Sequence, residues 1–196
     1  MKSLAFVAMA APVEGRDAHT GVMDAARAGD LAAFENLMRQ YERMVLVTAL
    51  RLVGNIEDAK DVSQEVFLRL YRNLGKVESE ANIPAWLYRV TVNACHDLGR
   101  KRKPNVAMED VPEPVATGAN PQESLTVAER QRAVQMSLRA LSDKERAVIV
   151  LRDLEGLSTE QVAKALGSTE ATVRSQVSKG RVKMRDYVER YFRRRI

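Results

Sequence analysis

The sequence predicts an all-α protein in which two small helical domains are joined by a flexible acidic linker. Three observations lead to this fold class. Apolar residues recur at helical spacing along most of the 196 residues, and no convincing strand pattern interrupts them. Capping residues and glycines mark the places where one helix ends and the next begins. An acidic stretch with several prolines, residues 104–120, then divides the chain.

The first domain is expected at residues 22–103, behind a loose tail of residues 1–21. Asp30 and Asn55 can each cap the start of a helix, and Gly54 can stop the one between them. Asn82 and Pro84 open a further helix. The four helices of this domain are therefore expected at residues 22–28, 31–53, 56–74 and from residue 82 to about 103.

The linker, residues 104–120, has no Lys or Arg, and its charged residues are Glu109, Asp110 and Glu113. With three prolines and few large apolar residues, it cannot bury enough surface to fold alone. We therefore expect a flexible connection.

The second domain is expected at residues 121–196 and contains a helix-turn-helix. Its first helix begins with the cap Asn120, Pro121 and Glu123, and Ser142 with Glu145 starts a second helix that reaches Leu154. Ser158 and Gln161 form a capping box for a third helix, and Gly167 suits the turn that follows it. A long last helix begins near residues 169–171 and carries an apolar stripe.

The last helix predicts a DNA-binding surface. With Val173 and Val177 turned inward, Ser175, Ser178 and Lys179 point outward, flanked by basic residues, as in a helix that reads the major groove. From Arg174 to Ile196 there are nine Lys or Arg and two Asp or Glu, in a chain of net charge +5. This basic end indicates a polyanionic partner.

Other features exclude other classes of protein. The only cysteine, Cys95, rules out an internal disulfide framework and fits a reducing cytoplasm. The apolar run after Lys2 is short for a signal peptide, and we expect no membrane span. Cys95 and His96 lack the further ligands of a zinc site, and no phosphate-binding glycine loop is present. We therefore expect no catalytic residue, no metal, no cofactor and no enzyme activity.

A polar ridge in the first domain predicts a docking surface. Asp61, Gln64 and Glu65 share one face of the third helix, because they are three and four residues apart. The following helix carries Trp86 and ends in the basic run of residues 100–103. The basic run could contact phosphates, and the aromatic side chain could stack on unpaired bases.

Three motifs in this order make the chain resemble an extracytoplasmic-function (ECF) sigma factor. They are DAKDVSQEVFLRLY, PAWLYRVTVNACHDLGRKRK and, after the linker, LSDKERAVIVLRDLEGLSTEQVAKALGSTEATVRSQVSKGRVKM. The resemblance implies a cytoplasmic initiation factor whose partners are core RNA polymerase, promoter DNA and an anti-sigma factor. It also implies that a base of the minus-ten element flips into a pocket of the first domain. Such a pocket can read the base because a single-stranded base exposes edges that a duplex hides.

The resemblance implies three sets of site residues. Those that bind core polymerase are Asp61, Gln64 and Glu65. Those that bind the minus-ten element are Asn82, Trp86, Arg89, Asn93, Asp97, Arg100 and Lys101. Those that bind the minus-thirty-five element are Thr172, Arg174, Ser175, Ser178, Lys179 and Arg181.

The chain departs from the family pattern at a few positions. Lys60 stands where an acid is frequent, Ser63 where an aliphatic residue is common, and the segment 80–83 is less aromatic than in many relatives. Gly180 replaces a more usual alanine, and we expect it to loosen the last helix by up to about 1 kcal/mol. A helix-turn-helix regulator that works without polymerase stays an alternative, although it would have no need for the polar ridge.

Overall fold

The computed structural model describes residues 20–77, 79–101 and 121–193, and within these ranges it contains helices and no strand. Eight α-helices follow one another: α1 Thr20–Arg27, α2 Leu31–Val53, α3 Ile56–Asn73, α4 Ile83–Lys101, α5 Pro121–Arg139, α6 Asp143–Ile149, α7 Thr159–Leu166 and α8 Glu170–Arg193. The all-α prediction is confirmed for this part of the chain. Most of the tail, the whole linker and the side chains of the cap at residues 120–123 lie outside it.

The capping residues begin and end the helices where the sequence predicts. Asp30 accepts a hydrogen bond from the backbone N–H of Ala32 at 2.8 Å, and Gly54 closes α2 with a φ of 83°. Asn55 accepts from the N–H of Asp58 at 2.8 Å and so caps α3. These bonds satisfy backbone groups that have no partner inside the helix.

The first half of the chain is a bundle of α1 to α4. Leu37 of α2, Val66 of α3 and Leu87 of α4 are fully buried at its centre. Burial of such side chains contributes about 1.5–3 kcal/mol each. Two 3-10 turns, Leu74–Lys76 and Glu80–Asn82, lie between α3 and α4.

The second half builds the helix-turn-helix from α7 and α8. Ser158 and Gln161 form the expected capping box at the start of α7, and Gly167 ends it in the left-handed region with a φ of 60°. The preceding helix differs from the prediction, because α6 ends at Ile149 and a π-helical turn covers Val150–Leu154. The N–H of Glu155 reaches back five residues to the carbonyl of Val150, which makes this turn wide.

The two halves pack against each other, which the sequence did not predict. Their buried apolar residues form one continuous core. Arg146 donates to the carbonyl of Leu52 at 2.8 Å, and Arg139 donates to the carbonyl of Gly54. Two arginines of the second half therefore bind the carbonyl end of α2, where the helix dipole favours positive charge.

A half-buried polar cluster joins the same halves. Glu155 is 10% exposed, and its Oε1 lies 2.6 Å from Nη1 of Arg51 in α2. Its other carboxylate oxygen accepts a hydrogen bond from the hydroxyl of Tyr88 in α4 at 3.2 Å. Burial and the nearby carboxylate of Glu155 raise the pKa of Tyr88, so the phenol stays protonated and donates.

Candidate nucleic-acid interface

Helix α8 presents a polar face to solvent because its opposite face is buried. Val173 is fully buried, Gly180 is buried, and Val177 and Met184 are packed against the core. The six residues predicted to bind the minus-thirty-five element are all exposed: Thr172, Arg174, Ser175, Ser178, Lys179 and Arg181. They therefore form one surface that could enter a major groove.

Gly180 has a different role from the one the sequence suggested. A Cβ at this position would lie 2.8 Å from Cγ1 and 3.1 Å from Cδ1 of Ile149. The glycine therefore lets α8 approach α6 closely, a packing role that the sequence did not predict. The close packing that this glycine permits opposes the intrinsic free-energy cost of having glycine inside a helix.

Arginines line an open groove of about 420 Å³ beside α8; they are Arg152, Arg174 and Arg181. Arg181 donates two hydrogen bonds to the Asp153 carboxylate, at 2.9 and 2.6 Å, and this contact raises the pKa of Arg181. Arg174 donates to Glu170 one turn earlier, at 2.9 Å. Guanidinium groups held in this way suit phosphate oxygens and guanine edges.

An ion pair fixes α8 on the rest of the domain. Nζ of Lys183 lies 2.7 and 2.8 Å from the two carboxylate oxygens of Glu145. One of these oxygens, Oε2, also accepts from the Ser142 N–H in the capping box of α6. The hydrogen bond from Lys183 holds the pKa of Glu145 below its ordinary value. The ion pair therefore joins the start of α6 to the middle of α8.

The residues predicted to bind the minus-ten element follow one face of α4 and the turn before it. Asn82, Arg89, Asn93, Arg100 and Lys101 are exposed. Trp86 is half-buried and packs against the core. Asp97 is half-buried, pairs with Arg100 and lies 3.8 Å from Arg69 of α3.

The ridge predicted to dock on polymerase lies on α3. Asp61 and Gln64 are exposed, while Glu65 is half-buried and bonds to Arg69 at 2.7 Å. The sequence reasoning missed that this face continues as exposed apolar residues, with Leu68 44% and Tyr71 47% exposed. The spacing from Asp61 through Gln64 and Leu68 to Tyr71 is helical and was the available signal.

Within the described residues, no group of three His, Cys, Asp or Glu side chains could hold a metal ion. Cys95 is buried, and burial raises the pKa of its thiol to about 12, so the reactive thiolate is suppressed. No helix in the described ranges is long and apolar enough to cross a membrane.

Comparisons with known proteins identify both halves. The Sigma-70 region 2 family matches residues 37–104, and the Sigma-70 region 4 family matches residues 131–184. The ECF RNA polymerase sigma factor SigE of Mycolicibacterium smegmatis is 35% identical over 186 residues, which are 91% of this chain and 72% of that relative. The chain belongs to the ECF sigma factors.

Further comparisons agree with this sigma-factor assignment. SigW of Bacillus subtilis is 29% identical over 167 residues, which cover 80% of this chain and 89% of SigW. The solved structure of RpoE from Bartonella quintana, in complex with the anti-sigma factor NepR, shares the fold. Its TM-score is 0.66 at 21% identity, and the likeness covers 80% of this chain and 96% of that chain.

Membership of the ECF sigma factors makes the chain a promoter-directing initiation factor, a transcription factor rather than an enzyme. It also decides against the regulator without polymerase that the sequence left open.

Proposed function

We propose that this ECF sigma factor docks on core RNA polymerase through α3. It reads the minus-ten element with α4 and the minus-thirty-five element with α8. The observation that carries this proposal is the exposure of the polar faces of all three helices, each opposite a buried apolar face. It acts without chemistry of its own, in the cytoplasm, where polymerase and promoter DNA are found.

The docking surface runs along α3 from Asp61 and Gln64 to Leu68 and Tyr71. The carboxylate and amide groups at one end can orient the polymerase by hydrogen bonds. The exposed apolar side chains at the other end supply apolar surface that is buried on binding. Glu65 already forms an ion pair with Arg69, so it contributes to the shape of this surface more than to direct contacts with polymerase.

The minus-ten surface combines Asn82, Arg89 and Asn93 with the basic end of α4. Amide and guanidinium groups can hydrogen-bond to the edges of unpaired bases, and the exposed part of Trp86 offers a stacking face. Arg100 and Lys101 at the end of the helix suit the adjacent phosphates.

The minus-thirty-five surface uses Arg174, Ser175, Ser178 and Lys179 for the groove. Arg181 is oriented by Asp153 and suits a phosphate beside it. Side chains in the first part of α8 then contact the bases, and the flanking charged side chains contact phosphates and fix the position of the helix on the DNA.

Binding both elements at once requires the two halves to separate. The elements lie about 25 base pairs apart, roughly 85 Å of B-form DNA. A packed chain of this size has a radius of gyration of only about 15 Å. The 19 residues between α4 and α5 can reach at most about 65 Å, and the width of the two folded halves supplies the rest of the distance between the elements.

An anti-sigma factor is the regulatory partner we propose. The fold is shared with RpoE, which was solved with the anti-sigma factor NepR. The surfaces that such a partner would have to cover are the exposed faces of α3, α4 and α8.

In vitro transcription tests this proposal. The protein is added to purified bacterial core polymerase with a library of promoter fragments, and the transcripts are sequenced. We expect initiation at fragments that share two elements. Asp61→Lys should reduce initiation and co-elution with core, whereas Glu35→Lys, the same charge change at a 63% exposed side chain of α2, should not. Absence of initiation from a folded sample would contradict the proposal.

A further inference from the structure

Helix α1 ends in a fixed geometry that aims Arg27. Met23 and Ala26 of this helix are buried in the bundle, at 2% and 4% exposure. Gly29 takes a φ of 95°, and the N–H of Asp30 bonds to the carbonyl of Ala25 at 3.0 Å. This is a Schellman turn, which leaves the last turn of α1 little freedom.

The Arg27 guanidinium binds the backbone between α3 and α4. Its Nε donates to the carbonyl of Leu74 at 3.3 Å, and its Nη2 donates to the carbonyl of Val77. Its Nη1 pairs with Asp24 one turn earlier, at 3.1 Å. The side chain is 30% exposed, so these contacts lie at the edge of the core.

The two carbonyls belong to the segment that leads into the minus-ten surface. The side chains of Leu74 and Val77 are buried at 4% and 3% exposure, and the 3-10 turn between them is closed by a bond from the Val77 N–H to the Leu74 carbonyl. Five residues after Val77, Asn82 ends the second 3-10 turn and precedes α4. The position of Asn82 therefore depends on where this segment starts.

We infer that Arg27 is a positioning residue for reading the minus-ten element. It acts on the backbone at Leu74 and Val77, and through this segment on Asn82 at the start of α4. The inference rests on the proposed function of α4. It goes beyond the family comparison, because α1 precedes residue 37, where the match to region 2 begins.

An arginine suits this task and a lysine does so only in part. The guanidinium is a planar fork whose nitrogens reach two carbonyls and one carboxylate in fixed directions. A lysine keeps the charge but offers a single point donor, so it can hold one carbonyl while releasing the other. A glutamine at this position removes the charge and shortens the reach.

The test compares promoter selection by Arg27→Gln, Arg27→Lys and the wild type. Each protein is added to core polymerase with fragments randomised only in the minus-ten element, and the enrichment ratio between the best sequence and its single-base variants is measured. We expect the ratio to fall about tenfold for Arg27→Gln, equivalent to about 1.4 kcal/mol, and less for Arg27→Lys. Selection of a randomised minus-thirty-five element and affinity for core should remain unchanged.

Arg39→Gln is the matched control, because this α2 arginine is 71% exposed and pairs only locally with Glu35. If wild-type protein initiates but both Arg27 variants keep the wild-type minus-ten ratio, Arg27 serves only to hold α1 and the inference fails. If the wild type itself directs no initiation, the proposed function fails instead. Should Arg27→Gln not fold, the Arg27→Lys ratio alone decides.

Discussion

The carboxylate of Glu155 lies 2.6 Å from the guanidinium of Arg51, across the boundary between the region 2 and region 4 halves. The two residues are 104 positions apart in the chain. Glu155 follows the π-helical turn of residues 150–154, and that turn carries the carboxylate to α2 and α4. The contact therefore depends on a local irregularity in the helix before it.

Replacing Glu155 by Gln should favour separation of the two halves. The change removes the ion pair with Arg51 and weakens the bond from Tyr88, and breaking a largely buried pair is costly. We expect the ratio of open to closed molecules to rise about tenfold or more. Small-angle scattering and energy transfer between labels on the two halves measure this ratio.

Glu35→Gln is the control, since it removes an exposed pair within α2 and should leave the scattering profile unchanged. Equal radii of gyration for wild type and Glu155→Gln would contradict a closing role for this contact.

Gly180→Ala should destabilise the protein despite the better helix propensity of alanine. The new Cβ would meet Ile149 at 2.8 Å, and overpacking of this kind costs about 1–3 kcal/mol, against a gain of up to about 1 kcal/mol from propensity. Urea unfolding of the two proteins measures the difference.

Gly99→Ala offers the matched comparison, because a Cβ there meets nothing within 4 Å inside α4. It should stabilise by about 0.5–1 kcal/mol. If both alanines stabilise equally, close packing at Gly180 is refuted.

Glu145→Gln should lower the free energy of unfolding at neutral pH by about 1–2 kcal/mol, because it removes the charge from the bonds to Lys183, while a glutamine can still close the capping box with Ser142. The pKa of Glu145 is lowered in the folded state, so its stabilising effect is present above the unfolded pKa of about 4.3. It is lost as the pH falls through the folded pKa.

The difference between wild type and Glu145→Gln should therefore shrink in acid, as measured by unfolding at several pH values. Glu160→Gln, at an exposed pair with Lys164, should give no resolvable difference at any pH. A pH-independent difference for Glu145→Gln would show that shape, rather than charge, matters at this position.

Arg174→Ala and Lys179→Ala should each weaken binding to the minus-thirty-five element. Both side chains are exposed on α8, and an arginine that contacts a base is worth about 1–3 kcal/mol. Selection from fragments randomised in this element measures the loss of preference, with Arg39→Ala as the control. An unchanged preference in both variants would refute this placement of the reading surface.

Reversing Glu109, Asp110 and Glu113 to lysine tests the acidic linker. If the linker passes through a positively charged channel of the polymerase, initiation should fall while binding of the separate promoter elements is kept. Full initiation by the reversed variant would contradict passage of the acidic linker through such a channel.

Local signals predicted the helices and the exposed face of α8 well. Asp30, Asn55 and Ser158 each cap a helix through bonds within three residues, so their effect can be read directly from sequence. The outward face of α8 follows from the helical period once Val173 is taken as buried.

Contacts between distant positions could not be predicted in this way. Arg146 binds the carbonyl of Leu52 across 94 residues, and nothing in the local pattern around either residue indicates the other. The close approach at Gly180 depends on Ile149 in another helix, which helix propensity alone does not indicate. Such features depend on tertiary packing, which outweighs local preference.

Run-off transcription with purified core polymerase on a library of duplex promoter fragments tests most directly whether this protein directs initiation. We predict specific initiation from fragments that share a minus-ten and a minus-thirty-five element, reduced by Asp61→Lys and redirected by Arg174→Ala. Initiation without any shared element, or none from a folded protein that fails to co-elute with core, would contradict this prediction.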